Sequence, residues 1–209
     1  MQRREFLLLT LASCLSSACG KAQEYQAIPR GSSVLAFGDS VTFGTGAEPG
    51  EDWPSLLAAS TGWEIINAGI PGDTAQAARS RLPALLAEHR PALVVIELGG
   101  NDFLRRRSPD AVREDLQHLV SLVRQSGAQV VLIGVPELSL LAVVAGKPSD
   151  SPIYQALAEA EGVPLISDVF SNVLARPEWC ADRIHPNAEG YRQMANGIFM
   201  ALRRIGLSG

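Results

Sequence analysis

A chain of 209 residues with 46% hydrophobic and 19% charged residues is long and apolar enough to bury one sizeable core, so one domain is expected. A formal charge of -4 leaves no room for a large basic face, which excludes a protein that wraps nucleic acid and makes acidic polymers poor partners.

Residues 1–18 read as an export signal: Arg3 and Arg4 precede an uncharged, Leu-rich stretch from Phe6 that ends in small residues. The stretch is too short to span a bilayer. Arg3-Arg4-Glu5-Phe6-Leu7 also resembles the twin-arginine export motif, with Gln2 in place of the usual Ser or Thr. Cys14 and Cys19 both sit where a lipoprotein signal carries its acylated cysteine, and Cys19 is the favoured lipidation site because it leads into the polar residues 21–26. The expected location is the periplasm or bacterial cell envelope, with an N-terminal lipid as the membrane contact. Cys180 is then the only thiol in the body of the domain, so the mature chain has no internal disulfide.

Residues 19–33 form a polar tether, and the domain occupies 34–209. Short runs rich in Val, Ile and Leu, at 34–37, 64–67, 93–98, 130–135 and 164–167, read as strands buried on both faces. Helical patterns fall between them at 52–60, 74–89, 109–125 and 151–161, and a last one at 187–205 closes the chain. Val112, Leu116, Leu119 and Val123 form one apolar stripe; Tyr191, Ala195, Ile198, Leu202 and Ile205 form another. Alternating strands and helices indicate an α/β domain whose parallel sheet is covered on both faces.

Four segments that follow strands carry chemistry. Gly38-Asp39-Ser40 leaves the first strand at the carboxyl edge of the sheet, where open parallel sheets bind ligands. The segment 67–74 follows the second strand and opens a helix, so N–H groups near Gly72 are free to meet an anion; a capped Gly-Pro-Gly turn explains it equally well. Gly99-Gly100-Asn101-Asp102 follows the third strand in the same way. Asp182-Arg183-Ile184-His185 follows the fifth, and a carboxylate three residues before a histidine can hold one ring nitrogen and leave the other as a base. His89 and His118 lie on amphipathic helices, which leaves His185 as the histidine placed for catalysis.

In this order and spacing the four blocks resemble the SGNH (GDSL-type) hydrolases across nearly all of 34–202. Gly72-Asp73-Thr74, Arg81-Leu82-Pro83-Ala84-Leu85-Leu86 and Glu97-Leu98-Gly99-Gly100-Asn101-Asp102 look like the bacterial thioesterase, lysophospholipase and arylesterase branch. The resemblance implies a three-layer α/β/α sandwich with a five-stranded parallel, flavodoxin-like sheet in the order 2-1-3-4-5. It implies a serine esterase working through an acyl-enzyme. Ser40 is then the nucleophile, His185 the base and Asp182 its orienting partner, and the oxyanion hole is made by the N–H groups of Ser40 and Gly72 and the Asn101 amide. The substrates would be small-molecule or lipid esters: aryl esters, lysophospholipids or acyl thioesters. No metal or other cofactor is expected, nor a Gly-x-Ser-x-Gly elbow, and the chain is read as a monomer.

Leu138, Leu140 and Leu141, just beyond the fourth strand, are the expected acyl-binding wall, with completion of the core as the alternative. Here the chain departs from the thioesterase branch, whose segment is more polar. Arg105-Arg106-Arg107 could meet a phosphate headgroup but reads first as a solvated charge run. A carbohydrate O-acetylesterase and a noncatalytic envelope lipoprotein remain the alternative functions.

Overall fold

The computed structural model describes residues 25–137 and 148–208. The export signal, Cys14, Cys19 and the wall at Leu138, Leu140 and Leu141 lie outside the described residues. Five parallel strands form one sheet in the order β2-β1-β3-β4-β5: β1 Ser33–Gly38, β2 Glu64–Gly69, β3 Leu93–Glu97, β4 Gln129–Ile133 and β5 Leu165–Ile166. This is the flavodoxin-like order, with its crevice between β1 and β3.

Helices cover both sides of the sheet. The longer ones are α2 Trp53–Thr61, α4 Leu82–His89, α6 Pro109–Gln125, α7 Pro152–Glu161 and α9 Ala188–Arg204. α2 packs against α9, and α6 packs against α4 and α7. The two apolar stripes read from spacing are buried, except that Ile205 lies past the end of α9 and is exposed. Among the described residues no helix is long and apolar enough to cross a membrane.

The central strands β1, β3 and β4 are apolar on both faces and almost wholly buried, as continuous Val/Ile/Leu runs require. β2 is only half-buried, because it is the sheet's edge. The tether is docked from Tyr25 onward. Ile28 is buried, its N–H donates to the Leu207 carbonyl, and its own carbonyl accepts from the Trp63 indole.

Two differences from the sequence reading matter for the site. The helix expected over 74–89 is two helices, α3 Ala75–Ala78 and α4, with a turn at Arg79–Arg81 between them. One-turn helices that the pattern did not show follow the first and third strands, α1 Ser40–Phe43 and α5 Gly100–Leu104. A further short helix, α8 Val169–Leu174, and a 3-10 turn at Pro177–Trp179 precede α9.

Candidate active site

Ser40 is the first residue of α1, held there by its neighbour. Asp39 leaves helical geometry and caps the turn, its Oδ1 accepting from the Val41 N–H at 3.0 Å. The turn lies so close to the sheet that side chains are excluded beneath it. A Cβ at Gly38 would come within 1.9 Å of Thr42 Oγ1, and one at Gly69, its partner on β2, within 2.2 Å of the Phe43 nitrogen. Glycine at both strand ends is therefore a steric requirement of placing Ser40 at the carboxyl edge.

The loop between the 3-10 turn and α9 carries His185 to Ser40. It is closed by Ala181 N–H to the His185 carbonyl at 2.9 Å and Asn187 N–H to the Trp179 carbonyl at 2.8 Å. Asn187 then caps α9 through the Gly190 N–H. Inside the loop, Asp182 Oδ1 accepts from the N–H groups of Ile184 and His185, both at 2.8 Å, while Oδ2 meets His185 Nδ1 at 2.8 Å. Burial pushes the Asp182 carboxyl up, but the hydrogen bonds from the His185 ring and the two N–H groups outweigh it and hold the group below its ordinary value. Asp182 is thus an acceptor, which makes Nδ1 the donor and leaves Nε2 with a free lone pair. That nitrogen stands 3.0 Å from Ser40 Oγ.

Asn101, the second residue of α5, reaches across the crevice between β1 and β3. Its Nδ2 donates to Asp39 Oδ2 at 3.0 Å and to the Asp73 carbonyl at 2.9 Å, so both amide hydrogens rest on protein acceptors. The sequence reading of a preset side-chain donor needs that amendment. The N–H groups of Ser40 and Gly72 have no hydrogen-bond partner among the described residues. Gly72 adopts a φ of 80°, in the left-handed region that favours glycine.

The cleft beside Ser40 and His185 is bordered by Val41, Leu104, Phe170 and Ile184 and, on its polar side, by Asp39, Glu97 and Asn101. Leu104 is exposed at the rim, and so are Phe43 and Ile70 elsewhere on the surface. Trp53 lies in the core, and Trp179 packs at its edge under the Arg176 guanidinium; neither borders this cleft. His89 is half-buried and His118 is exposed, both away from the cleft.

Two buried carboxyls lie behind Ser40. Burial raises Asp39 to about 6, against hydrogen bonds from Val41 and Asn101 that lower it. Glu97 is pushed well up by burial and by the Asp39 charge; its Oε2 accepts from Thr42 Oγ1 at 2.8 Å and its Oε1 has no partner among the described residues. Neither role was read from sequence, although both residues lie inside the blocks that carry the chemistry.

The arginine run is solvated at Arg105 and Arg106 but not at Arg107. Arg107 donates to the fully buried Asp102 at 2.5 Å and to Asp115 at 2.8 Å, and Arg79 joins Asp115 at 2.8 Å. Arg105 donates to the Gly72 carbonyl at 2.9 Å. The run turns back on itself at Arg106, whose φ is 57°; Arg105 and Arg106 are both exposed, and Arg106 makes no side-chain hydrogen bond or ion pair among the described residues.

Known proteins resemble this chain in sequence and fold. The chain is 34% identical to an arylesterase of Vibrio mimicus over 204 residues, covering 94% of this chain and 96% of that protein. It is 35% identical over 179 residues to thioesterase 1/protease 1/lysophospholipase L1 of Escherichia coli K12, covering 82% of this chain and 84% of that protein. The solved structure of TesA superposes with a TM-score of 0.72 at 32% identity, covering 83% of this chain and 99% of that one. Residues 36–193 match the GDSL-like Lipase/Acylhydrolase family. With the fold, the Ser40–His185–Asp182 geometry and these relatives in agreement, the chain belongs to the GDSL-like lipase/acylhydrolase family and is a hydrolase of ester bonds.

Proposed function

We propose that the protein is a serine esterase that cleaves carboxylic esters or thioesters in two steps through an acyl-enzyme on Ser40. The observation that carries this reading is the unbroken line from Ser40 Oγ through His185 at 3.0 Å to Asp182 at 2.8 Å. An uncharged hydroxyl becomes a nucleophile only as its proton leaves, and Nε2 is the acceptor in reach. As Ser40 Oγ bonds to the acyl carbon, its proton passes to Nε2, and Asp182 steadies the imidazolium. The same proton then goes to the departing alcohol or thiol. Water attacks the acyl-serine by the reverse sequence and releases the acid.

The free N–H groups of Ser40 and Gly72 are the standing donors for the oxyanion. Asn101 contributes the third when one of its N–H groups turns from the Asp73 carbonyl toward the developing charge. An interaction made only at that stage lowers the barrier without tightening substrate binding. Leu104, exposed at the rim, and the half-buried Ile184 offer an incoming acyl group apolar contact, which supports aryl, lysophospholipid or acyl-thioester substrates over short polar acetyl esters, whereas Val41 and Phe170 lie buried behind them. The leader read from sequence supports export to the cell envelope with lipidation at Cys19. The relatives include an uncharacterized lipoprotein, YqeF, of Bacillus subtilis, 28% identical over 144 residues.

Hydrolysis of p-nitrophenyl esters of increasing chain length tests the substrate reading. Rising kcat/KM from acetate toward medium chains is the expected result. A sharp optimum at acetate would favour the O-acetylesterase alternative, and no hydrolysis at any length would remove the enzymatic reading.

A further inference from the structure

We propose that Arg81 and Arg105 are positioning residues for the oxyanion side of the site: two guanidinium groups that hold the loop from Ile70 to Thr74 so that the Gly72 N–H stays available to the reaction. The proposal rests on the reading of Gly72 as an oxyanion donor.

The hydrogen bonds of this loop can be followed group by group. Ile70 N–H donates to the Gly38 carbonyl at 3.1 Å, Asp73 N–H to the Ile70 carbonyl at 3.0 Å and Thr74 N–H to Asp73 Oδ1 at 3.0 Å. Pro71 has no N–H. Gly72 is left with the one backbone donor of the loop that has no partner among the described residues. Both arginines bind acceptors of this loop and leave that donor untouched.

Arg81 sits at the break between α3 and α4 with only 18% of its side chain exposed. Its Nε donates to Asp73 Oδ2 at 2.8 Å, Nη1 to the Ala68 carbonyl at 2.8 Å and Nη2 to the Gly38 carbonyl at 2.9 Å. The guanidinium plane lies over the Phe37 ring, 4.0 Å from its centroid. One rigid fork thereby joins the end of β1, two residues before Ser40, to the end of β2 and to the loop that follows it. Lysine, a single flexible point donor, cannot reproduce that fork. Arg105 approaches from the opposite side. It caps the end of α5, the helix that bears Asn101, and its Nη2 holds the Gly72 carbonyl at 2.9 Å. Asn101 completes the set through the Asp73 carbonyl at 2.9 Å. The break in the helical pattern at Arg79–Arg81 thus has a use: it frees Arg81 to reach back under the loop.

The test compares Arg81→Lys, Arg81→Ala, Arg105→Ala and, as a control, Arg106→Ala. For each variant, kcat and KM are measured on p-nitrophenyl butyrate, with the Ki of an alkyl boronic acid, which forms a tetrahedral adduct on the active serine, and the melting temperature. Misplacement of a reacting group by about 1 Å can cost on the order of a hundredfold. Arg81→Lys and Arg105→Ala are therefore expected to lose roughly 10- to 100-fold in kcat with KM within about twofold, and the boronate Ki should weaken by a similar factor. Guanidinium ion at millimolar concentration should restore part of the kcat of Arg81→Ala. Arg106→Ala should match the parent.

Arg105 makes a single surface bond, so its removal leaves the fold intact and keeps the proposal exposed should the Arg81 variants fail to fold. If kcat and boronate Ki stay within about twofold of the parent in Arg105→Ala and Arg81→Lys, or only the melting temperature falls, the arginines are structural and the proposal is wrong. Ser40→Ala, run alongside, separates the two layers: retained activity there would instead overturn the serine reading itself.

Discussion

Asp39 carries two duties that pull against each other. Its carboxylate caps α1 and holds the Asn101 amide, yet burial raises its pKa to about 6. The unfolded chain releases this proton near 3.8 while the folded protein retains it to about 6. The folded state therefore binds more protons across that window, and the stabilisation, complete below the unfolded value, is lost as pH rises to the folded one. For the Asp39 share the loss is on the order of 3 kcal/mol. Urea denaturation at pH 4 and pH 7 should show it, and Asp39→Asn should shrink that difference. Asp182 has the opposite sign: its contribution is present above the ordinary carboxylate value and disappears as pH falls through its lowered one, and at 55% side-chain exposure it is small. Asn101→Ala should lower kcat by about 100- to 1000-fold, as loss of one oxyanion donor does. It should also destabilise by about 1–3 kcal/mol, because Asp39 then loses a donor in a buried setting. Parallel kinetics and thermal melts would show both, and a fall in kcat with no change in melting temperature would mean that the Asp39 bond contributes nothing to the fold.

At the scale of elements, the short turns between strand and helix carry the information that pattern reading loses. Ala75, Ala78, Leu82 and Leu86 are all buried and keep helical spacing straight through the break at Arg79–Arg81, so periodicity reported one helix where there are two. α1 and α5 span about one turn each, too little for any periodic signal. The arginine run was read too uniformly: Arg105 and Arg106 are exposed, while Arg107 turns to Asp102 and Asp115, five and eight positions away. Asp102 is fully buried and its charge is met by Arg107 at 2.5 Å. Arg107→Ala removes the cation facing that carboxylate, leaving it the Ala75 N–H at 2.9 Å, and should cost about 3–5 kcal/mol, while Arg106→Ala should stay within about 0.5 kcal/mol. Chemical denaturation of the two variants would separate a network member from a solvated residue.

For the molecule as a whole, the fold class and the segments that build the site were legible in sequence because each block follows a strand and the sheet brings strand ends together, while the strand order followed from the family resemblance. Ser40, Asp182 and His185 were legible for the same reason, and the structure brings them into one hydrogen-bonded line. The supporting contacts were hidden, since Asp39 with Asn101 and Arg81 with Gly38 join residues 62 and 43 positions apart, which no local pattern reports. The central claim is that one serine, activated by one histidine, performs the chemistry. It is tested most directly by treating the parent, Ser40→Ala, His185→Ala and the double variant with a fluorophosphonate probe, mapping the adduct, and measuring esterase turnover. The expected result is a single adduct on Ser40, none in Ser40→Ala, and turnover losses on the order of a millionfold that do not add in the double variant. An adduct on another residue, or full activity in Ser40→Ala, would contradict it.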